Sequence, residues 1–176
     1  DAHYDLILPP LAVNAGLGEL GRNNILIADR FGSRVRIGAV TTDFPVEYDD
    51  PVSLGADALC RVCLKCAENC PSDAIPSGGK TVPNGVVKWK LDAERCYRYW
   101  YAVGTDCSIC MSTCPWTKPP TWLHRGLTAL ATVRGPHQSL MVAAEKLFYG
   151  GPDRRDRGRS VGLESLRPTR IRAHMR

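Results

Sequence analysis

Eight cysteines fall between Cys60 and Cys114 of a 176-residue chain, and none falls outside that window. Their spacing constrains the fold more than any other feature of the sequence. The first group reads Cys60-x2-Cys63-x2-Cys66-x3-Cys70-Pro71, and the second Cys96-x10-Cys107-x2-Cys110-x3-Cys114-Pro115. Three thiolates spaced three apart wrap the chain around one cube of iron and sulfide. A fourth cysteine, followed by a proline that turns the chain away, is aimed at a different cube. The second group repeats this design with its first gap expanded. Cluster one is therefore assigned to Cys60, Cys63, Cys66 and Cys114, and cluster two to Cys96, Cys107, Cys110 and Cys70, each as a 4Fe-4S centre.

Two other uses of cysteine fit less well. A disulfide scaffold spreads its cysteines along a chain and rarely places them two residues apart, where closure is strained. Structural zinc usually takes two C-x2-C pairs separated by a longer spacer, not two triplet runs each closed by Cys-Pro. Paired clusters relay one electron at a time, at potentials set by burial and by hydrogen bonds to sulfur. The motif thus implies redox work without specifying a substrate.

At 44% hydrophobic residues the chain can form one sizeable core or two small ones. No apolar run approaches the roughly 18 to 20 residues that span a bilayer. The start, Asp1-Ala2-His3-Tyr4, is neither an initiator methionine nor a signal peptide, as expected of a fragment or a processed chain. The formal charge of +5 resides entirely in the stretch from Asp153 to Arg176, where eight arginines face Asp153, Asp156 and Glu164. A solvated terminus is the expected reading of that tail, and contact with RNA or an anionic membrane surface is the alternative.

Along the chain, Asn24-Ile25-Leu26-Ile27-Ala28 is a short apolar run that predicts a buried strand, and Arg34 to Thr42 alternates as a half-buried strand should. Ahead of them, Gly16, Gly18 and Gly21 fall within six residues, which permits tight turns and close backbone approach to a ligand. Val86 to Leu91 alternates like another strand, and Asp92 is placed to cap a helix running through Cys96 and Trp100. Helical spacing recurs from Trp122 to Val133 and from Leu140 to Tyr149, the latter ended by Gly150-Gly151. Trp89, Trp100, Trp116 and Trp122 are expected to pack or to cover the clusters, and His124 and His137 to sit on helix faces without metal.

Taken in order, Ala15-Gly16-Leu17-Gly18-Glu19-Leu20-Gly21-Arg22, Arg34-Val35-Arg36, Thr42-Asp43-Phe44-Pro45, the run from Cys60 to Pro71, and Tyr99-Trp100 through Cys114-Pro115-Trp116 carry a resemblance. Over about residues 10 to 120, with a looser echo at Leu147-Phe148-Tyr149-Gly150, the chain resembles the C-terminal part of the corrinoid-dependent reductive dehalogenases. The resemblance implies an α+β architecture. Residues 1–50 would form the C-terminal part of a nitroreductase-like cobalamin-binding core, 51–120 a ferredoxin-like two-cluster 4Fe-4S domain, and 121–176 a helical extension with the basic tail. It further implies that electrons from a donor pass through both clusters to a cobalamin, and that a small organohalide loses its halogen.

In that family a tyrosine donates a proton and a nearby basic residue stabilises its anion. Arg36 best matches the basic residue and Arg22 comes second, while the tyrosine would lie upstream of this chain. The corrinoid would lie near Gly16, Gly18, Gly21 and Arg36. The family's respiratory members are held at the outer face of the cytoplasmic membrane by a small membrane-anchor protein, so membrane association is the expectation and a cytoplasmic location the alternative. Epoxyqueuosine reductase, which acts on tRNA, shares the glycine segment and both cysteine groups, but usually has tryptophan where this chain has Glu19. Nucleic acid is otherwise not an expected partner. A plain dicluster electron carrier is the non-enzyme alternative, and it leaves the first 50 residues unexplained.

Overall fold

A computed structural model describes residues 7–118, 121–133, 135 and 137–150; the arginine-rich tail and Tyr4 lie outside these. Helix α1, Leu8–Asn14, opens on two prolines, which cost nothing in a first turn whose amides have no helical acceptor. It lies against a two-stranded antiparallel hairpin of β1, Glu19–Leu20, and β2, Leu26–Ile27, with Glu19 opposite Ile27 and Leu20 opposite Leu26. The apolar run from Asn24 to Ala28 thus supplies a buried strand, shortened to two residues because its partner is equally short.

The stretch 34–42 differs from expectation. Val35 and Ile37 are half-buried and Arg34 and Arg36 exposed, as alternation requires, yet the segment pairs with no strand among the described residues. Alternation reports which face is apolar; a strand also needs a neighbour to accept its ladder. Likewise, Val86 to Leu91 contributes one bridge, Lys88 to Thr81, after a 3-10 turn at Pro83–Gly85.

The helices carry most of the remaining order. Helix α2 spans Ala56–Val62, α3 Lys65–Glu68, α4 Ala93–Val103, α5 Ile109–Ser112, α6 Trp122–Thr132 and α7 His137–Tyr149. Asp92 caps α4 by accepting from the Arg95 amide at 3.0 Å, and Gly104 ends it in the left-handed region. Helix α2 has no side-chain cap of its own at Gly55; Glu19 reaches across from the hairpin and accepts from the Ala56 amide at 2.6 Å. A carboxylate at that point meets the positive end of the helix. Helices α6 and α7 pack on each other and on α2, and α3 packs on α5. No helix among the described residues is long and apolar enough to cross a membrane.

The core is built around sulfur. Ile27, Ala56, Cys60 and Trp89 form one buried group, Leu59, Cys63 and Val142 a second, and Ala67, Cys70, Ala74 and Ile75 a third. Domains with so little large apolar burial generally need a staple or a metal. The distribution of the thiols shows where it would sit.

Candidate metal centre

The cysteine runs lie on short, sharply turned segments. In the first, Cys60 is on α2, Cys63 terminates it, Cys66 is on α3, and Cys70 follows before Pro71. In the second, Cys96 is on α4, Cys107 lies in the loop after it, Cys110 is on α5, and Cys114 precedes the Pro115 turn. Helix α3 lies on α5, and the end of each run comes to the start of the other, Cys114 to Cys60 and Cys70 to Cys96. Cys60, Cys63, Cys66 and Cys114 line one cavity, walled by Ile27 and Trp116. Cys70, Cys96 and Cys110 meet in the third apolar group, and Cys107 is close enough to repel both Cys96 and Cys110.

The electrostatics of both sets have one cause. Burial pushes the Cys60 thiol up to about 11, the Cys110 thiol to about 11 and the Cys114 thiol to about 12, and raises Cys63, Cys66 and Cys96 as well. Repulsion within each set adds to this: Cys60, Cys63 and Cys114 act on Cys66, and Cys107 and Cys70 act on Cys96. Donors oppose it. The backbone amides of Arg22, Lys65 and Trp116 favour the thiolates of Cys60, Cys63 and Cys114, and the Asn23 side chain that of Cys110. The Ala74 amide donates to Cys70 Sγ at 3.3 Å.

These are residues that fit 4Fe-4S clusters. Buried thiolates crowded together need a cationic partner, and N–H groups aimed at sulfur are a means by which proteins hold and tune iron-sulfur centres. The Trp116 Nε1–H, on the cavity wall, is buried without a hydrogen-bond acceptor from the protein. No disulfide forms among the eight. Nor, among the described residues, do three His, Cys, Asp or Glu side chains converge tightly enough for a single ion. Zinc, with Zn–S bonds of about 2.3 Å, requires its sulfurs nearly in contact. A cube holds its four thiolates further apart, around a space of its own.

Arg22 is 2% exposed. Its guanidinium donates to the carbonyl of Cys60 at 3.0 and 2.8 Å and to those of Pro76 and Gly78 at 2.8 Å each, and it lies 4.8 Å from the Trp89 ring centre. Arg22 is thus a clamp on α2 at Cys60. The hairpin turn therefore bears on both sets: Arg22 holds the Cys60 carbonyl, and the Asn23 side chain favours the Cys110 thiolate. Sequence reasoning missed Asn23, since one asparagine beside a glycine turn carries no distinctive spacing.

Two of the three glycines are hemmed in by this chain's own backbone and the third by side chains. A Cβ on Gly18 would lie 2.1 Å from the Ile27 carbonyl oxygen, and one on Gly16, whose φ is +69°, 2.7 Å from that of Asp50. On Gly21 it would meet the Asn23 side chain at 2.8 Å. Arg36 is exposed on the unpaired stretch.

The 4Fe-4S dicluster domain family matches residues 59–118. Tetrachloroethene reductive dehalogenase of Desulfitobacterium hafniense is 42% identical over 126 residues, covering 65% of this chain and 23% of that protein. The chain is a relative of the reductive dehalogenases. It superposes with a TM-score of 0.71 and 32% identity on a reductive dehalogenase whose structure suggests a mechanism for B12-dependent dehalogenation, over 81% of this chain and 21% of that one. Epoxyqueuosine reductase of Lactococcus garvieae is a weaker relative, 29% identical over 123 residues, or 61% of this chain and 31% of that protein. The chain thus spans about a quarter of the length of the reductive dehalogenases it matches.

Proposed function

We propose that this chain forms the electron-delivering part of a reductive dehalogenase, in which two 4Fe-4S clusters pass electrons to a cobalamin that cleaves a carbon-halogen bond in a small organohalide. The observation that carries this reading is the gathering of eight unpaired cysteines into two interleaved sets of four. Cys60, Cys63, Cys66 and Cys114 would hold one cluster, and Cys70, Cys96, Cys107 and Cys110 the other. When bound, the clusters supply one-electron steps and the corrinoid the reducing metal. The protein keeps water from the first set by burying Cys60, Cys63 and Cys114, and the Arg22, Lys65 and Trp116 amides stabilise their sulfurs as thiolates.

The finer parts of the reading rest on the relatives. Residues 1–50 would close a nitroreductase-like cobalamin-binding core whose remainder lies outside this chain, with Arg36 facing the reaction and Gly16, Gly18 and Gly21 shaping the turn beside it. Arg22 serves the cluster rather than the substrate. A membrane-associated location with a small anchor protein follows only from the resemblance to respiratory members.

Anaerobic purification with iron and acid-labile sulfide analysis, and halide release with a reduced one-electron dye from the protein joined to the remainder of its core and loaded with corrinoid, test the proposal together. About eight irons per chain, two spectroscopically distinct clusters and halide production are expected. Stoichiometric zinc, or about four irons or fewer, would refute the paired-cluster reading; full iron loading without halide release from any of a panel of chlorinated and brominated substrates would refute the dehalogenase reading.

A further inference from the structure

Lys65 sits between Cys63 and Cys66, two ligands of the proposed cluster one, and is 3% exposed. Lysine is almost never so buried without a partner. Its partner is Glu145 of α7, 80 residues away in sequence. The other Glu145 oxygen, Oε1, is buried without a hydrogen bond, and the Lys118 ammonium is 4.0 Å from it. The next residue, Lys146, places its Nζ 2.7 Å from Glu68 Oε1 on α3. Five charges therefore surround the cluster-one loop.

Apolar contacts dock α7 as well. Val142 and Met141 already pack that helix on Leu59 and Cys63. A buried ion pair loses so much hydration that an apolar pair of similar size is often as stable. Beyond the dominant effect of burial, the Cys63 sulfur is destabilised as a thiolate by the charge of Glu145 and favoured by those of Lys65 and Lys146. The other set of cysteines has a different surrounding. Its nearest ion pairs on α4, Arg95 with Asp92 and Arg98 with Glu94, are exposed, where water and salt screen them.

We propose that the Lys65–Glu145 pair, flanked by Lys118 and Lys146, sets the reduction potential of cluster one independently of cluster two, which makes Lys65 and Glu145 positioning residues for electron flow. The inference rests on the cluster assignment given above. The step is uptake of one electron from a low-potential one-electron donor, with no bond made or broken. Net charge and burial are among the quantities that fix the potential of such a centre. An added electron is repelled by Glu145 and attracted by the lysines, and poor solvation keeps those forces from being screened.

Redox titration followed by electron paramagnetic resonance, on protein purified anaerobically, reads both clusters in one sample. Glu145→Gln leaves the lysines in excess and should make cluster one easier to reduce. The expected shift is about tenfold in the equilibrium, or about 59 mV for a one-electron couple. Lys65→Met should shift it by a similar factor in the opposite direction, and the double variant should return near the starting value. Lys146→Gln, at a partly exposed site that tolerates polar change, should make cluster one harder to reduce by about threefold, as screening shrinks the effect. Cluster two should not move. A shift of cluster one in the same direction by Glu145→Gln and by either lysine variant, equal shifts of both clusters, or no shift in Glu145→Gln and Lys146→Gln would overturn the inference. If Lys65→Met loses its cluster, the other two variants decide. Low iron in the unmodified protein would instead strike the cluster assignment, before any variant is made.

Discussion

The two cysteine sets are built from the same motif and housed in opposite ways. The set of Cys60, Cys63, Cys66 and Cys114 has three buried members, and α2, α6 and α7 enclose that side of the chain. The other has one, Cys70, and Cys96 lies on α4, a helix without a buried residue that exposes Tyr97, Trp100 and Tyr101. Spacing decides where sulfur can reach; the surrounding chain decides how dry and how charged the site is. The same ligands can therefore yield centres with different stability and different affinity for an electron. The buried set is suited to hold its potential against solvent, and the exposed one to exchange electrons with a donor.

The largest expected effect tests that contrast directly. Cys114→Ala should remove cluster one, about four of about eight irons, and should also leave a gap beside Thr117 and Trp116 that lowers the thermal midpoint strongly. Cys96→Ala should lose a similar amount of iron from cluster two with a much smaller fall in the midpoint, because its surroundings are already open. Iron analysis with calorimetry reads both. Equal destabilisation by the two would remove the distinction between a buried and an exposed centre.

Arg22→Ala comes next. It strips the carbonyls of Cys60, Pro76 and Gly78 of a charged donor while they remain covered, which should cost about 3 kcal/mol or more. Denaturant unfolding measures the loss, and cluster-one signals should broaden while those of cluster two persist. Full stability with loss of turnover alone would instead return Arg22 to the reaction itself, as the resemblance allowed.

What the sequence makes legible is what depends on near neighbours. The cysteine runs are readable because ligation imposes spacing within a dozen residues, and Asp92 is readable because a cap and its amide are three residues apart. Arg22 is not, because its acceptors lie 38 to 56 residues ahead, and nothing local distinguishes an arginine that grips carbonyls from one that meets substrate. The glycine turn suffers in the same way. Gly18 makes room for the Ile27 carbonyl of its own hairpin, a partner that nothing in the spacing of the glycines identifies. Lys65 and Glu145 are further apart still, and only the docking of α7 pairs them.

The smallest effect lies on the outer edge of the buried side. Asp57, in the first turn of α2, pairs with Lys80 and, at 2.9 Å, with Arg61. Burial alone would raise its carboxyl, but Lys80 and Arg61 outweigh that and hold it below 3.8. A carboxylate whose folded value is depressed contributes its full stability above the unfolded value and loses it as the pH falls through the folded one. Asp57→Asn should therefore be less stable than the parent by about 0.5 to 1 kcal/mol near neutrality, the usual size for partly exposed pairs. The gap should close as the pH drops below 3.8. The quantity to follow is the difference between the two denaturation midpoints, since acid attacks cluster ligation in both proteins alike. A gap that stayed constant through that range would mean that the charge on Asp57 contributes nothing, and that the dry side of the molecule is held by its apolar contacts and by Arg22 alone.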